Sequence, residues 1–486
     1  MNDKGRALTE LLTGLTPAAV PDVDVTGIVL DSRAIKPGDL FLAYRGTGDD
    51  GRSYISDALA RGAVAVAYDP AGFETGPWAA TTPAVAVPAL RNRAGVIAHR
   101  FYGRPSDALF VVGITGTNGK TTCAFLLAQA YQALGKRCGV IGTLGAGLPP
   151  ALAAGTHTTP DPVAVHRELR RMKDLGATHV CMEVTSHALD QCRVAGVQFS
   201  AALFTNLTHD HLDYHGDLAA YGAAKAKLFE APHLAWAAIN HDDAFGRELF
   251  TRSRAARNWS YGAGAGDVRL GTLTPRENGL DLEIAVADGA ARIESALIGR
   301  VNAVNLLAVA CALTADGVPA GELPRAMGAL EPAPGRMEVF RGRGPRAVVD
   351  YAHTPDALER ALESLREHCR GALWCVFGCG GDRDRAKRPR MGEIAERLSD
   401  QVILTDDNPR SEDPEIIVRE IAAGMRAQPT VIHDRVEAIV HALSRAADDD
   451  WVLIAGKGHE TTQQFGTRRV PLSDRAVVRQ WLEEAA

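Results

Sequence analysis

The run Thr115-Gly-Thr-Asn-Gly-Lys-Thr-Thr122 carries the residue types best suited to chemistry in this chain. Gly116 and Gly119 let the backbone fold tightly enough for successive N–H groups, from Thr117 and Asn118 onward, to face phosphate oxygens. Lys120 can reach the outer phosphates of a nucleotide, and the Thr121 hydroxyl suits Mg²⁺, with Thr122 beside it. An apolar run ending at Ile114 precedes the loop, and a helix-like segment follows whose positive N-terminal end adds to anion binding. Ile114 stands where the general phosphate-loop pattern has glycine, and the glycine is one earlier, at Gly113. A glycine-rich strand-to-helix turn without ligand is the plainer reading. The context of strand, loop, Gly-Lys-Thr and helix favours nucleotide phosphate.

Two further clusters bear on the same chemistry. Glu183 follows the apolar Val180-Cys-Met182 and stands at the carboxyl end of an expected parallel strand, the edge where open α/β sheets bind ligands. A carboxylate there can share Mg²⁺ with Thr121, although an ordinary strand-end acid is the bland alternative. The stretch Thr205-Asn-Leu-Thr-His-Asp-His-Leu-Asp-Tyr-His215 nearly matches the His-x-His-x-Asp-His pattern of dinuclear hydrolases, but Tyr214 separates Asp213 from His215. A solvated polar loop is a third reading. With a phosphate loop in the same block, a nucleotide–metal site is favoured.

In the C-terminal third, Gly378-Cys-Gly-Gly-Asp-Arg-Asp-Arg385 follows an apolar strand, but Arg383 stands where a dinucleotide fingerprint needs its third glycine. The basic residues from Arg383 to Arg390 resemble a nucleic-acid patch, yet Asp382 and Asp384 among them make a local anion site the better reading.

The elements that position these residues fall into three blocks, so the expected fold class is α/β with three domains. Residues 1–105 read as a small α/β unit with a turn at Lys36-Pro37-Gly38-Asp39 and its longest clear strand at Ala63 to Tyr68. Residues 106–333 alternate strands (Ala108 to Ile114, Gly139 to Gly142, His179 to Met182, Ala201 to Phe204, Ala237 to Ile239) with helix-length segments, as in a phosphate-loop, parallel three-layer domain. Residues 334–486 repeat the rhythm in a Rossmann-like unit, with strands at Arg346 to Asp350, Leu373 to Gly378, Gln401 to Thr405 and Trp451 to Ala455. Thr354-Pro355-Asp356 signals a helix start there. Glu331-Pro-Ala-Pro-Gly335 reads as a hinge between the last two blocks.

Bulk properties set the outer limits. With 486 residues, 46% apolar and 23% charged, the chain has ordinary soluble composition. Its 53 basic and 59 acidic residues leave a net charge of −6, which argues against a protein that coats nucleic acid or an anionic membrane. The N-terminal MNDKGRALTELLTGL lacks the order of a signal peptide, and no stretch approaches a membrane span. Eight scattered cysteines form neither a disulfide framework nor a zinc ribbon, so free thiols in a cytoplasm are expected.

Together, the loop Thr115–Thr122, the Glu183-Val-Thr-Ser-His187 turn, Asn206 with Asp210-His211-Leu-Asp213, and Tyr221-Gly-Ala-Ala-Lys225 resemble the Mur ligases. These are ATP-dependent amide-forming enzymes of peptidoglycan-precursor synthesis, related to the folylpolyglutamate synthetases and tied to cell-wall growth, shape and division. The resemblance implies ATP and Mg²⁺ as cofactors, Lys120, His211 and Lys225 as catalytic residues, and Thr121, Glu183, His211 and Lys225 around the metal. It also implies that Lys225 is carbamylated to N6-carboxylysine, which a lysine held neutral by burial can undergo with CO₂. ATP contacts are implied at Gly116, Thr117, Asn118, Gly119, Lys120, Thr121, Thr122, Asn302, Asn305, Arg336, Asp350 and His353. The family often has a histidine ahead of the two asparagines, where this chain has Val301.

Within the family the resemblance narrows to the members that add the third residue of the stem peptide. Leu30-Asp-Ser-Arg33, His157-Thr-Thr-Pro160 and Thr185-Ser-His-Ala-Leu-Asp-Gln-Cys-Arg193 are similar to their UDP-muramoyl dipeptide contacts. This implies Leu30, Ser32, Thr158, Thr159, Thr185, Gln191 and Arg193 for UDP-N-acetylmuramoyl-L-alanyl-D-glutamate. Asp406-Asp-Asn-Pro-Arg410 and Gly456-Lys-Gly-His-Glu460 imply Arg383, Asp407, Asn408, Pro409, Arg410, Gly456 and Glu460 for meso-diaminopimelate. An arginine at 410 suits that amino acid's second carboxylate and would repel a lysine ammonium. The alternatives left open are the same ligase adding L-lysine, a folylpolyglutamate-type ligase, and a non-catalytic nucleotide switch. The chain is expected to act as a monomer, without nucleic acid and without membrane insertion.

Overall fold

A computed structural model describes residues 5–484. Residues 1–4, where the N-terminal reading begins, and residues 485–486, at the end of the third expected block, lie outside them.

The first sheet has four parallel strands in sequence order: Gly27–Val29, Asp39–Ala43, Ala65–Tyr68 and Ala84–Ala86. Its longest strand is Asp39–Ala43, buried throughout, rather than the expected segment ending at Tyr68. The turn read at Lys36 to Asp39 hides that strand, because Gly38, at φ +96°, feeds the chain straight into it. Leu90–Phe101 closes one face through Leu90, Ala94, Ile97 and Ala98.

The central sheet has eleven strands, and its parallel part runs Cys138–Gly142, His179–Glu183, Phe110–Thr115, Ala201–Phe204, Trp236–Asn240 and Arg257–Gly262. Alternate residues of these strands serve two cores. Val112, Ile114, Val140, Cys181 and Leu203 face the helices Lys120–Ala133 and Arg300–Ala315, while Val111, Ile141, Val180, Met182 and Ala202 face the other side. Reading continuous apolar runs as strands buried on both faces found the first five parallel strands. It missed Gly145–Leu148, Ala151–Ala153 and Arg257–Gly262, and also Val268–Arg276, Gly279–Val286 and Gly289–Ser295, which pair antiparallel with one another and whose half-exposed faces carry threonine and charge.

The third sheet orders as Glu338–Phe340, Arg346–Asp350, Trp451–Ala455, Leu373–Phe377, Gln401–Leu404 and Thr430–Val431. The helix Pro355–Arg366 begins where its sequence signal lies, with Thr354 Oγ1 accepting from Ala357 N. The linker into this sheet is fastened at both ends. Gln129 brackets Glu331 through both its amide atoms, each at 3.0 Å, and Met337 N donates to Asp350 Oδ2 at 2.7 Å. Gly335, at φ +67°, lies against the 458–459 peptide so closely that a Cβ would stand 2.2 Å from His459 N. All eight cysteines are free, and among the described residues no helix is long and apolar enough to cross a membrane.

Behind the third sheet, Arg435 and Asp474 pair through two 2.8 Å bonds with both side chains 0% exposed. Arg435 also donates to Ala455 O, tying the helix Arg435–Arg445 to the last central strand. Removing one partner strands a buried charge, so Arg435→Ala is expected to cost about 3–5 kcal/mol. Urea unfolding followed through Trp451 and Trp374 fluorescence should show the third domain melting early, with a much smaller change for an exposed arginine such as Arg33→Ala.

Candidate active site

The strand Phe110–Thr115 delivers the glycine loop to the sheet edge, and Gly119, at φ +85°, sits at the N-cap of Lys120–Ala133. The loop is braced by the segment after the neighbouring strand. Asn118 N donates to Asn206 Oδ1 at 2.9 Å, Thr205 Oγ1 donates to Asn118 O at 2.6 Å, and Thr208 N donates to Thr117 Oγ1 at 3.0 Å. Two amines converge on one carbonyl: Lys120 Nζ lies 2.9 Å and Lys225 Nζ 2.7 Å from Gly116 O. Lys225 is 1% exposed and rests over the Tyr221 ring at 4.3 Å. Burial lowers the pKa of both lysines, and the nearby Lys120 charge pushes Lys225 further, well below the ordinary lysine range. Thr122 is buried in the first helical turn.

Glu183 is 1% exposed. Its Oε2 accepts from Thr121 Oγ1 at 2.8 Å, and its Oε1 accepts from Thr143 N at 2.7 Å. Thr143 Oγ1 lies 3.1 Å from Glu183 Oε2 and 3.0 Å from Thr158 Oγ1. Thr159 Oγ1 donates to Glu183 O and accepts from Thr185 N, while Thr185 caps Ser186–Asp190. Arg193 donates to Thr159 O at 3.1 Å and to Gln191 Oε1 at 2.9 Å. Five of the expected sugar-peptide residues therefore share one polar surface. Leu30 and Ser32 stand at the end of the first domain's strand Gly27–Val29, with the buried Ser32 hydroxyl turned to Asp57. Tyr44, from the same domain, lies among Asp161, Arg91, Cys192 and Arg193, where burial pushes its phenol up to about 12.

His211 adopts φ +56°, leans on Asp210 at 3.4 Å and meets the His187 ring at 4.8 Å. Burial lowers its pKa. The neighbouring His215 turns away to Ser186 Oγ at 3.0 Å. Among the described residues no group of three or more His, Cys, Asp or Glu side chains is placed to hold a metal, so the dinuclear-hydrolase pattern does not close into a site.

The remaining expected nucleotide residues divide. Asn305 Oδ1 faces the phosphate loop, 2.7 Å from where a Cβ on Gly119 would lie. Asn302 is 2% exposed and donates to Ile298 O, holding the start of its own helix. Arg336 stacks on Tyr351 at 4.2 Å and leaves Nη1 buried without a partner. Asp350 accepts from Met337 N and Ala352 N, and burial raises its pKa. His353 Nδ1 lies 2.9 Å from Tyr351 O, and burial lowers its pKa. The third domain also reaches the loop directly, where Asn118 Nδ2 donates to Asp356 Oδ2 at 3.1 Å.

A second polar cluster lines the carboxyl edge of the third sheet, formed by the loops after Leu373–Phe377, Gln401–Leu404 and Trp451–Ala455. Arg410, at φ +53°, donates to Gly381 O, and Arg383 donates to Asp382 O beside it. Pro409 O abuts Gly381, where a Cβ would approach to 1.9 Å. Asp407 Oδ1 accepts from Asn408 N, and Gly456, at φ +115°, packs on its other oxygen. Asn408 Nδ2 donates to Glu460 Oε2 at 3.0 Å. All seven residues expected to meet the amino acid are thus gathered on this edge.

Three family models match this chain: residues 24–102 the Mur ligase family catalytic domain, residues 114–313 the Mur ligase middle domain, and residues 335–458 the Mur ligase glutamate ligase domain. The chain belongs to the Mur ligases. It is 49% identical to the UDP-N-acetylmuramoyl-L-alanyl-D-glutamate--2,6-diaminopimelate ligase of Alkalilimnicola ehrlichii, over 99% of this chain and 98% of that one. A solved structure of a ligase of the same name superposes with a TM-score of 0.73 at 36% identity, covering 99% of both chains. The MurF ligase of Thermotoga maritima in complex with ADP shares the fold, with a TM-score of 0.64 at 20% identity over 94% of this chain and 98% of that one.

Sequence reasoning passed over three residues that contact the expected site residues of this Mur ligase. Thr143 follows the strand Cys138–Gly142 at its carboxyl end, the position that singled out Glu183, but a lone threonine there carries no charge to mark it. Asp356 was readable only as a helix start, and Lys457 only as part of a motif. At the phosphate loop, Gly116 has φ +149°, and a Cβ would meet Thr205 Oγ1 at 1.8 Å. Gly116→Ala is expected to displace the loop and weaken ATP binding by about tenfold or more. Calorimetric titration with ATP checks this, and unchanged affinity would refute the loop's role.

Proposed function

We propose that this ATP-dependent ligase joins meso-diaminopimelate to the D-glutamyl carboxylate of UDP-N-acetylmuramoyl-L-alanyl-D-glutamate, as a cytoplasmic monomer in peptidoglycan-precursor synthesis. The near-full-length likeness to ligases named for those two substrates carries this reading. The division of labour follows the expected domains: residues 1–105 for the UDP end, 106–333 for ATP, and 334–486 for the amino acid.

A carboxylate is a poor acyl donor because its leaving group would be oxide. In the proposed reaction one of its oxygens attacks the γ-phosphorus of ATP, releasing ADP and leaving an acyl phosphate. The diaminopimelate amine then attacks the acyl carbon, and phosphate departs as the amide forms. No covalent protein nucleophile is needed, and alignment with charge stabilisation suffices. Lys120 is placed for the transferring phosphoryl group, and the unpartnered Arg336 Nη1 offers a second cation from the third domain. Thr158, Thr159, Thr185, Gln191 and Arg193 would hold the dipeptide, and Arg410 with Arg383 the far carboxylate of diaminopimelate.

The oxygens of Thr121, Thr143 and Glu183 form a hard donor set that fits magnesium beside phosphate. Thr121, Glu183, His211 and a carbamylated Lys225 would hold the ion, and bound there it would neutralise phosphoryl charge. Carbamylation joins the neutral Lys225 amine to CO₂ and releases one proton, and the burial of that amine supports it. Replacing Lys225 by Met should lower kcat by about a hundredfold or more. Stripping CO₂ from wild-type enzyme should lower activity until bicarbonate is restored, and indifference to CO₂ would remove the modification from the mechanism.

The deciding assay measures amide formation from ATP and the UDP-muramoyl dipeptide, with diaminopimelate and L-lysine compared. Diaminopimelate is expected to be strongly preferred, and preference for lysine would overturn the specificity while sparing the ligase. Loss of a charge-assisted bidentate contact costs roughly 1.5–3 kcal/mol, so Arg410→Ala should raise the KM for diaminopimelate about ten- to a hundredfold. The KM for ATP should stay near its wild-type value, and equal effects on both would refute the assignment.

A further inference from the structure

We propose that Lys457 is a positioning residue for the incoming amino acid, a buried cation that fixes which atoms Asn408 and Glu460 present to it. The inference rests on the reading of Asn408, Arg410 and Glu460 as the amino-acid site. Lys457 is 0% exposed, whereas the Glu460 side chain is 31% exposed, so the lysine lies beneath the carboxylate and cannot itself meet substrate from solvent. Its Nζ donates to Asn408 Oδ1 at 3.1 Å and to Glu460 Oε2 at 2.8 Å. The geometry is built in by the chain: Glu460 N donates to Lys457 O at 2.9 Å, closing a turn flanked by Gly456 at φ +115° and containing Gly458 at φ +53°.

The consequence is directional. Asn408 Oδ1 accepts from two donors, Lys457 Nζ and Gln464 N at 2.9 Å. A flipped amide would point its NH₂ at both, so the network fixes Nδ2 on the side of Glu460 and leaves its second hydrogen for a substrate carboxylate. Glu460 Oε2 is likewise taken, by Lys457 and Asn408 Nδ2. Its Oε1 then remains for a substrate ammonium. With Arg410 and Arg383 alongside, the site presents cationic and amide donors to a carboxylate and one carboxylate oxygen to an ammonium, the pattern an α-amino acid terminus needs. Lys457 touches none of the reacting atoms, so its effect belongs in the binding of the amino acid.

Lys457→Met is expected to raise the KM for diaminopimelate about tenfold, with kcat at saturation and the KM for ATP within about twofold of wild type. Glu460→Gln should raise the same KM. Because Lys457 acts through shared partners, the Lys457→Met/Glu460→Gln enzyme should lose clearly less than the product of the two single effects. A multiplicative loss, or an unchanged KM for Lys457→Met where Glu460→Gln raises it, would overturn the positioning role alone. Unchanged KM values for Glu460→Gln and Asn408→Ala would instead overturn the site reading, and the inference with it. Should Lys457→Met not fold, the double variant, which leaves no unpaired buried charge, decides against Glu460→Gln. A KM within about threefold of that variant supports the role, and a further tenfold rise overturns it.

Discussion

Two lysine amines share a single backbone carbonyl at Gly116, in a loop that Thr205, Asn206 and Thr208 brace from the end of the neighbouring strand. Two ammonium groups so close, with one of them buried, would repel by about 4 kcal/mol at an effective dielectric near 20. Burial and the proximity of Lys120 resolve the conflict by driving Lys225 toward its neutral amine. A carbonyl has two lone pairs, so Gly116 O can accept from both amines. The φ of +149° at Gly116 brings the backbone close against Thr205 Oγ1, and Thr205 and Asn206 brace the next turn of the loop at Asn118. The loop backbone is thus braced by its own neighbours, while Lys120 Nζ is held by the carbonyls of Gly116 and Thr117.

The same logic of prior satisfaction runs along both sheet edges. Glu183 is buried, yet both its oxygens are occupied by Thr121 and Thr143. Asn408 and Glu460 are held by Lys457, and Arg193 by Thr159 and Gln191. Buried polar groups are tolerable only when their partners are complete, and complete partners fix orientation as well as energy. Some buried atoms are left incomplete: Arg336 Nη1 and His459 Nδ1 are two of these, and both residues lie against Tyr351.

Much of this was legible in the sequence because parallel strands buried on both faces read as continuous apolar runs, and their carboxyl ends can be counted off. Arg346–Asp350 and Trp451–Ala455 fall where the apolar runs place them, and Glu183 and Asp407 follow or close such runs. The antiparallel strands from Val268 to Ser295 were hidden because one half-exposed face mixes threonine and arginine with leucine, which weakens alternation. Side-chain partnership was hidden more deeply. Nothing in the spacing distinguishes Asn302, spent on Ile298 O, from Asn305, which faces Gly119, although both lie on one helix three residues apart. Nor could periodicity show that Lys457 is wholly buried while the glutamate three residues later reaches solvent.

The third domain's contacts tie the linker, the residues expected to meet the amino acid and the phosphate loop into one connected set. Asp350 ends the strand Arg346–Asp350 and holds Met337 of the linker, while Arg336, one residue earlier, stacks on Tyr351. Gly335 presses on the Gly458–His459 peptide inside the turn that carries Lys457 and Glu460. Asp356, on the helix that follows, reaches Asn118 of the phosphate loop. A shift of the linker would therefore move the turn that carries Lys457 and Glu460 and the Arg336 guanidinium together. In the proposed reaction such continuity would matter, because an acyl phosphate is exposed to water unless the amine arrives together with the stabilising charge.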